Sequence, residues 1–221
     1  MAVWKEISVN DWSDNLFTRI GKDWMLVTAG DREKSNTMTA SWGGAGILWN
    51  KPVAFSFIRP QRYTLEFMER EEYYSLAFFD DGFREALNFC GTKSGRDFDK
   101  WKETGLTPAF DLAPYPEEAR VVLICRKLYR QDMTPESFLD TEVRDKNYPG
   151  KDYHRVFVGE IVKLLIREYL PAGDCVSSRR NRAVREMRQT LPSRPCFIGL
   201  GCFTCFRSAV PALPPVRCGS G

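Results

Sequence analysis

Thr37, Thr39 and Ser41 stand two residues apart in the stretch NTMTASWGG, residues 36 to 44. Successive side chains of an extended chain point to opposite faces, so these hydroxyls share one face. Asn36, Met38, Ala40 and Trp42 share the other. Such a row offers neutral donors and acceptors to an uncharged heteroaromatic ligand. It is also what the polar outer face of an ordinary strand looks like, and the nine residues fit both readings.

A second chemical stretch, KPVAFSFIRPQRYTLEFMERE, spans residues 51 to 71 and runs from a strand through RPQRYT into a helix. Arg59 and Arg62 can hold an anion with bidentate hydrogen bonds, and Thr64 adds a hydroxyl. A helix start with its free N–H groups would suit a phosphate there. The alternative pairs both arginines with Glu66, Glu69 or Glu71 on the surface. GTKSGRDFDKW, residues 91 to 101, is a glycine-punctuated loop entering a helix, with Lys93, Ser94 and Arg96 available to a ligand. Asp97 at its end is read as a helix cap. His154, the only histidine, precedes the last strand in YPGKDYHRVFVGEI. Neither a G-x-G-x-x-G nor a phosphate-loop motif is present.

The elements that must position these residues are short and regularly spaced. Strands are expected over residues 24–30, 36–42, 53–58, 73–79, 119–129 and 155–166, each rich in β-branched or aromatic residues and bounded by Gly, Pro, Asp or Asn. Helices are expected between them in QRYTLEFMERE, GFREALNFC and RDFDKWKET. Six strands with short intervening helices point to a closed or nearly closed β-barrel with helices outside, or to an α+β sandwich. With 15 Phe, 8 Tyr and 6 Trp, the composition favours a β-rich core or a planar ligand over a helical bundle.

Charge is unevenly distributed. Residues 168 to 221 hold eight arginines against Glu168, Asp174 and Glu186, leaving 24 of the 32 basic and 26 of the 29 acidic groups in residues 1–167. A slightly acidic body argues against nucleic acid as the main partner. The start, MAVWKEISVNDW, has no basic head before an apolar run, and runs such as VVLIC are too short to span a bilayer. A cytoplasmic protein without a membrane segment is expected.

Past residue 167 the composition changes. No lysine follows Lys163, and five of the seven cysteines fall there. Cys202 and Cys205 form one C-x-x-C, whereas zinc modules pair two such knuckles. A disordered basic tail and a shifted reading frame in GC-rich DNA are the other readings. The expectation is a domain over residues 1–167 and an Arg/Cys-rich, unfolded tail over 168–221 from a shifted frame, with no metal.

NTMTASWGG, WNKPVAFSFIRPQRYT, NFCGTKSGRDFDKWKETGLTP, EARVVLICRKLY and YHRVFVGEI occur in that order along the chain. Together they resemble the flavin reductase-like family of FMN-binding split barrels, its flavoredoxin-type branch in particular, over about residues 12 to 166. The resemblance implies a mainly β fold, a six-stranded Greek-key split barrel that forms a homodimer and binds FMN near the dimer interface. It places Asn36, Thr37, Met38, Thr39, Ser41 and Trp42 along the isoalloxazine and ribityl chain. Arg59, Arg62, Tyr63 and Thr64 would hold the phosphate end, with Lys93, Ser94 and Gly95 approaching from the next loop. His154 corresponds to a histidine that split-barrel reductases carry in a Gly-Asp-His motif. Asp152 and Tyr153 precede it here, so the histidine alone carries over as a nicotinamide or flavin contact. Neutral hydroxyls would bind oxidised and reduced flavin without a large charge penalty.

The activity so implied is NAD(P)H-dependent FMN reduction, with hydride passing to flavin N5 and electrons then going to a flavoprotein or a ferric acceptor. An FMN electron carrier without a nicotinamide reaction is the alternative. Nucleic-acid binding through the arginine-rich tail is a third reading, and no folded platform is expected there to present the arginines.

Overall fold

The computed structural model describes residues 3–168. In chain order its elements are β1 (Val3–Ile7), α1 (Leu16–Thr18), β2 (Met25–Gly30), β3 (Ser35–Ala40), β4 (Gly43–Leu48) and β5 (Lys51–Ile58). α2 (Thr64–Arg70), β6 (Tyr73–Phe78), α3 (Arg84–Thr92), α4 (Lys100–Thr104), β7 (Pro108–Phe110) and β8 (Pro114–Pro116) follow. β9 (Val121–Asp132), α5 (Thr141–Asn147) and β10 (Arg155–Glu168) complete them.

The main sheet is hydrogen-bonded in the order β3-β2-β6-β9-β10-β5-β4. Its two terminal strands are consecutive in the chain and separated by Ser41 and Trp42 alone. The sheet therefore curls until its ends meet, and there the chain itself, not a ladder, joins them. The result is a mainly β split barrel. β10 bonds β9 along one edge; on its other edge Arg155–Glu160 meets β5 and Leu164–Glu168 meets β1.

Strand alternation sorts the apolar residues into two layers. Met25, Val27 and Ala29 of β2, Tyr74, Leu76 and Phe78 of β6, and Val121, Leu123 and Cys125 of β9 join Phe157 and Leu164 inside the barrel. Leu26, Ala77, Val122 and Ile124 face outward and are covered by Leu87 and Cys90 of α3 and by Leu106 and Tyr115. These strands are buried on both faces, which explains runs such as VVLIC that do not alternate.

The six expected strands are present as β2, β3, β5, β6, β9 and β10, and the three expected helices as α2, α3 and α4. The sheet also contains β1 and β4, so six is too few for its hydrogen-bonded strands. β4 reads GGAGIL, with a single β-branched residue, and only its pairing with β5 marks it as a strand. Residues 169–221, and with them the proposed tail, lie outside the described residues.

Gly159 marks a register shift in the β9–β10 ladder. A Cβ there would lie 2.5 Å from Tyr74 Oη and 2.9 Å from Cys125 Cβ, both inside the barrel. Gly159→Ala is expected to destabilise the fold by roughly 1–3 kcal/mol through overpacking. Urea denaturation checks this, and an unchanged midpoint would show that the barrel interior gives way at no cost.

Candidate functional site

The hairpin joining β2 to β3 is held by Asp31, whose Oδ1 accepts from the amides of Glu33 (2.8 Å) and Lys34 (2.7 Å). β3 then runs between two cavities. A smaller one, 180 Å³, is lined by Met38, Thr39, Ala40, Ser41, Trp42, Phe57, Arg59, Arg62 and His154. A larger one, 640 Å³, is lined among others by Lys34, Ser35, Asn36, Tyr63, Gly95, Arg96, Lys100 and Trp101.

The hydroxyl row is mostly committed to the protein. Thr37 is fully buried, its Oγ1 lying 2.9 Å from Thr28 Oγ1 across the β2–β3 pair. Thr39 Oγ1 donates to the Leu87 carbonyl at 2.5 Å and so ties β3 to α3 while still facing the smaller cavity. Ser41 and Trp42 form the corner that links the barrel ends, and both line that cavity. Asn36 is buried and donates from Nδ2 to Thr64 Oγ1 at 2.7 Å. Thr64 is wholly buried and lines neither cavity; it holds Asn36.

Arg59 and Arg62 both reach the smaller cavity, and among the described residues none that lines it is acidic. Arg59 pairs with Asp152 and donates from Nη2 to the Asn147 carbonyl at 2.9 Å. Arg62 donates to the Gly91 carbonyl at 2.5 Å, and its pKa is lowered by burial and then by Arg59. Neither takes Glu66, Glu69 or Glu71 as partner: Glu66 pairs with Arg96, Glu69 with Arg155 and Arg130, and Glu71 with Arg70. The helix-start argument is not supported. α2 has seven residues, and its Leu65 and Glu66 amides donate to the Arg62 and Tyr63 carbonyls.

The 91–99 loop divides. Gly95 lies against Asn36 Oδ1 too closely to admit a Cβ and lines the larger cavity. Lys93 and Ser94 line neither cavity: the Lys93 ammonium sits 5.8 Å from the Phe98 ring centroid, and Ser94 Oγ accepts from the Arg96 amide. Tyr63 stacks beneath Arg96, 4.7 Å from ring centroid to guanidinium.

Lys100, absent from the sequence-based set, is 5% exposed. Its ammonium donates to the carbonyls of Thr37 and Cys90, each at 2.8 Å, so it clamps β3 to the end of α3. Burial pushes its pKa down to about 8. No local pattern separates it from Lys102; only the fold does.

His154 is buried, with its ring centroid 5.2 Å from that of Trp42 and its Nδ1 2.7 Å from Tyr148 Oη. Burial, followed by the positive charge of Arg59, depresses its pKa from 6.5 to about 4. The smaller cavity therefore presents a neutral imidazole and an indole beside two guanidinium groups, which suits a planar ring carrying an anionic tail.

Split-barrel topology defines the fold class of the molecule. The flavin reductase like domain family matches residues 17–181, about three quarters of the chain and past the seam at residue 167. The chain belongs to that family, and its membership supports flavin binding. An FMN-binding domain of a flavin reductases-like enzyme from Shewanella baltica OS155 superposes with a TM-score of 0.54 at 15% identity, covering 75% of this chain and 78% of that one. Flavoredoxin from Methanosarcina acetivorans gives 0.50 at 18% identity, covering 72% and 91%. An FMN-binding protein from Thermus thermophilus with bound 1-cyclohex-2-enone gives 0.50 at 20% identity, covering 72% and 79%. At these identities the likeness is one of fold. The comparison with curated proteins returns no match.

A histidine with a depressed folded pKa contributes stability that is fully present above the unfolded value of 6.5 and declines as pH falls toward about 4. Proton NMR of the single histidine should give a titration midpoint near 4. A midpoint near the ordinary 6.5 would contradict its burial against Trp42 and Tyr148.

Proposed function

We propose that this chain is an NAD(P)H-dependent FMN reductase whose ring site is the smaller cavity beside β3. One observation carries the reading: Trp42 and a neutral His154 stand with Arg59 and Arg62 around a cavity that no carboxylate of the described residues lines. When bound, FMN supplies a two-electron acceptor for the hydride of a reduced nicotinamide, with the accompanying proton drawn from water.

The residues of this chain bind and orient. Trp42 and Met38 offer apolar surface to the ring, and Ser41 and Thr39 offer neutral polar atoms at its edge. Arg59 and Arg62 hold the phosphate, Arg59 exchanging its pairing with Asp152 for the ligand. Asn36, Thr64 and Lys100 keep β3 in register against α2 and α3, so the cavity is formed before the ligand arrives.

Two measurements test this. Arg59→Ala with Arg62→Ala is expected to weaken FMN on the order of a hundredfold, about 3 kcal/mol from lost charged hydrogen bonds, and riboflavin much less. Equal loss for the two ligands would remove the phosphate assignment. Adding NADH or NADPH to the FMN-loaded protein without oxygen should bleach the flavin absorbance within seconds. Bound FMN that neither nicotinamide reduces would identify an electron carrier instead.

A further inference from the structure

The segment between β9 and β10 contains α5 and was not assigned a role by the sequence. It delivers Tyr148 to the back of the smaller cavity: Tyr148 follows α5, its amide donates to the Arg144 carbonyl at 2.8 Å, and it is 6% exposed. Tyr148 does not line the cavity; His154 does.

We propose that Tyr148 is a positioning residue that fixes His154 as the Nε2–H tautomer, making the imidazole a neutral hydrogen-bond donor to an acceptor atom of the ring ligand. The inference rests on the ring-site reading above. Its first support is geometric. Tyr148 Oη lies 2.7 Å from His154 Nδ1, and its other acceptor is the Met133 thioether at 3.6 Å. An imidazole nitrogen accepts far better than a thioether, so the phenolic proton goes to Nδ1 and the ring proton is left on Nε2. Among the described residues, no protein hydrogen bond engages Nε2. His154 lines the cavity, so with Nδ1 taken by Tyr148 it is Nε2 that is left for a ligand.

The surroundings keep both partners neutral. Burial raises the Tyr148 pKa, and burial together with Arg59 lowers that of His154. Asp152, the nearest carboxylate that could draw a proton onto the imidazole, is bound by Arg59 and by Gln61 at 2.7 Å. The Met133 amide donates to the His154 carbonyl at 2.9 Å and fixes the backbone behind the ring. A neutral donor suits a ring carbonyl or ring nitrogen in either redox state, because it adds no charge to the cavity.

The chain's single histidine makes the test direct. A long-range proton–nitrogen NMR spectrum of the ligand-free chain, near neutral pH, should show one tautomer with the proton on Nε2. Tyr148→Phe should give mixed tautomers and bind riboflavin about fivefold more weakly, the worth of one neutral hydrogen bond. Met133→Leu should leave the tautomer unchanged. An Nδ1–H signal in the parent chain, a switch in Met133→Leu, or a Tyr148→Phe spectrum identical to the parent would overturn the proposal. Should Phe at 148 prevent folding, the parent and Met133→Leu spectra still decide. Riboflavin failing to bind the parent chain would remove the ring-site reading, whereas the spectrum alone judges the pairing of Tyr148 with His154.

Discussion

β3 and β4 are one piece of chain interrupted at Ser41 and Trp42, and they occupy opposite ends of the hydrogen-bonded sheet. The barrel is closed at that point by covalent chain rather than by strand pairing, and the site depends on it. A corner without a ladder leaves its side chains and backbone free for other work. Ser41 and Trp42 consequently line a cavity instead of disappearing into a sheet. The cost is that, among the described residues, β3 has only one strand neighbour, β2, and needs further anchors. Thr39 to Leu87, Lys100 to Thr37, and Asn36 to Thr64 supply them from α3, α4 and α2.

Charge around the cavity follows from the same arrangement. Arg59, Arg62 and Lys100 are each occupied: Lys100 by two carbonyls, Arg62 by one, and Arg59 by Asp152 and a carbonyl. Carbonyl partners orient a cation without neutralising it, so the positive potential of Arg62 persists at the cavity wall. Burial first, and then the charge of Arg59, hold His154 neutral. In the proposed reading a phosphate-bearing flavin would meet arginines at one end and uncharged groups at the other, which would separate the task of holding the ligand from that of tuning the ring.

The sequence displayed the parts of this design that are local. β2, β5, β6 and β9 announce themselves through apolar β-branched runs between turn residues, and the hydroxyl alternation of 36–42 marks β3. β4 was hidden because a glycine-rich edge strand has no side-chain pattern to read. The sequence offers nearby glutamates as partners for the arginines, whereas Asp152, which pairs with Arg59, lies 93 residues along the chain from it. Lys100 and Tyr148 were invisible for the same reason: both matter through groups that only the folded chain brings beside them. Thr37 and Thr64, expected along the flavin and at its phosphate end, are wholly buried and line neither cavity.

The central claim is that the corner beside β3 is a flavin ring site, and Trp42, 45% exposed at its edge, is the natural reporter. Stacking on an indole quenches flavin emission, so titrating the protein into FMN should produce saturable quenching with one FMN per chain. Trp42→Phe should still bind FMN but lose most of that quenching. Saturable quenching that is identical in Trp42→Phe, or no saturable quenching in the parent chain, would contradict the placement of the ring against this corner.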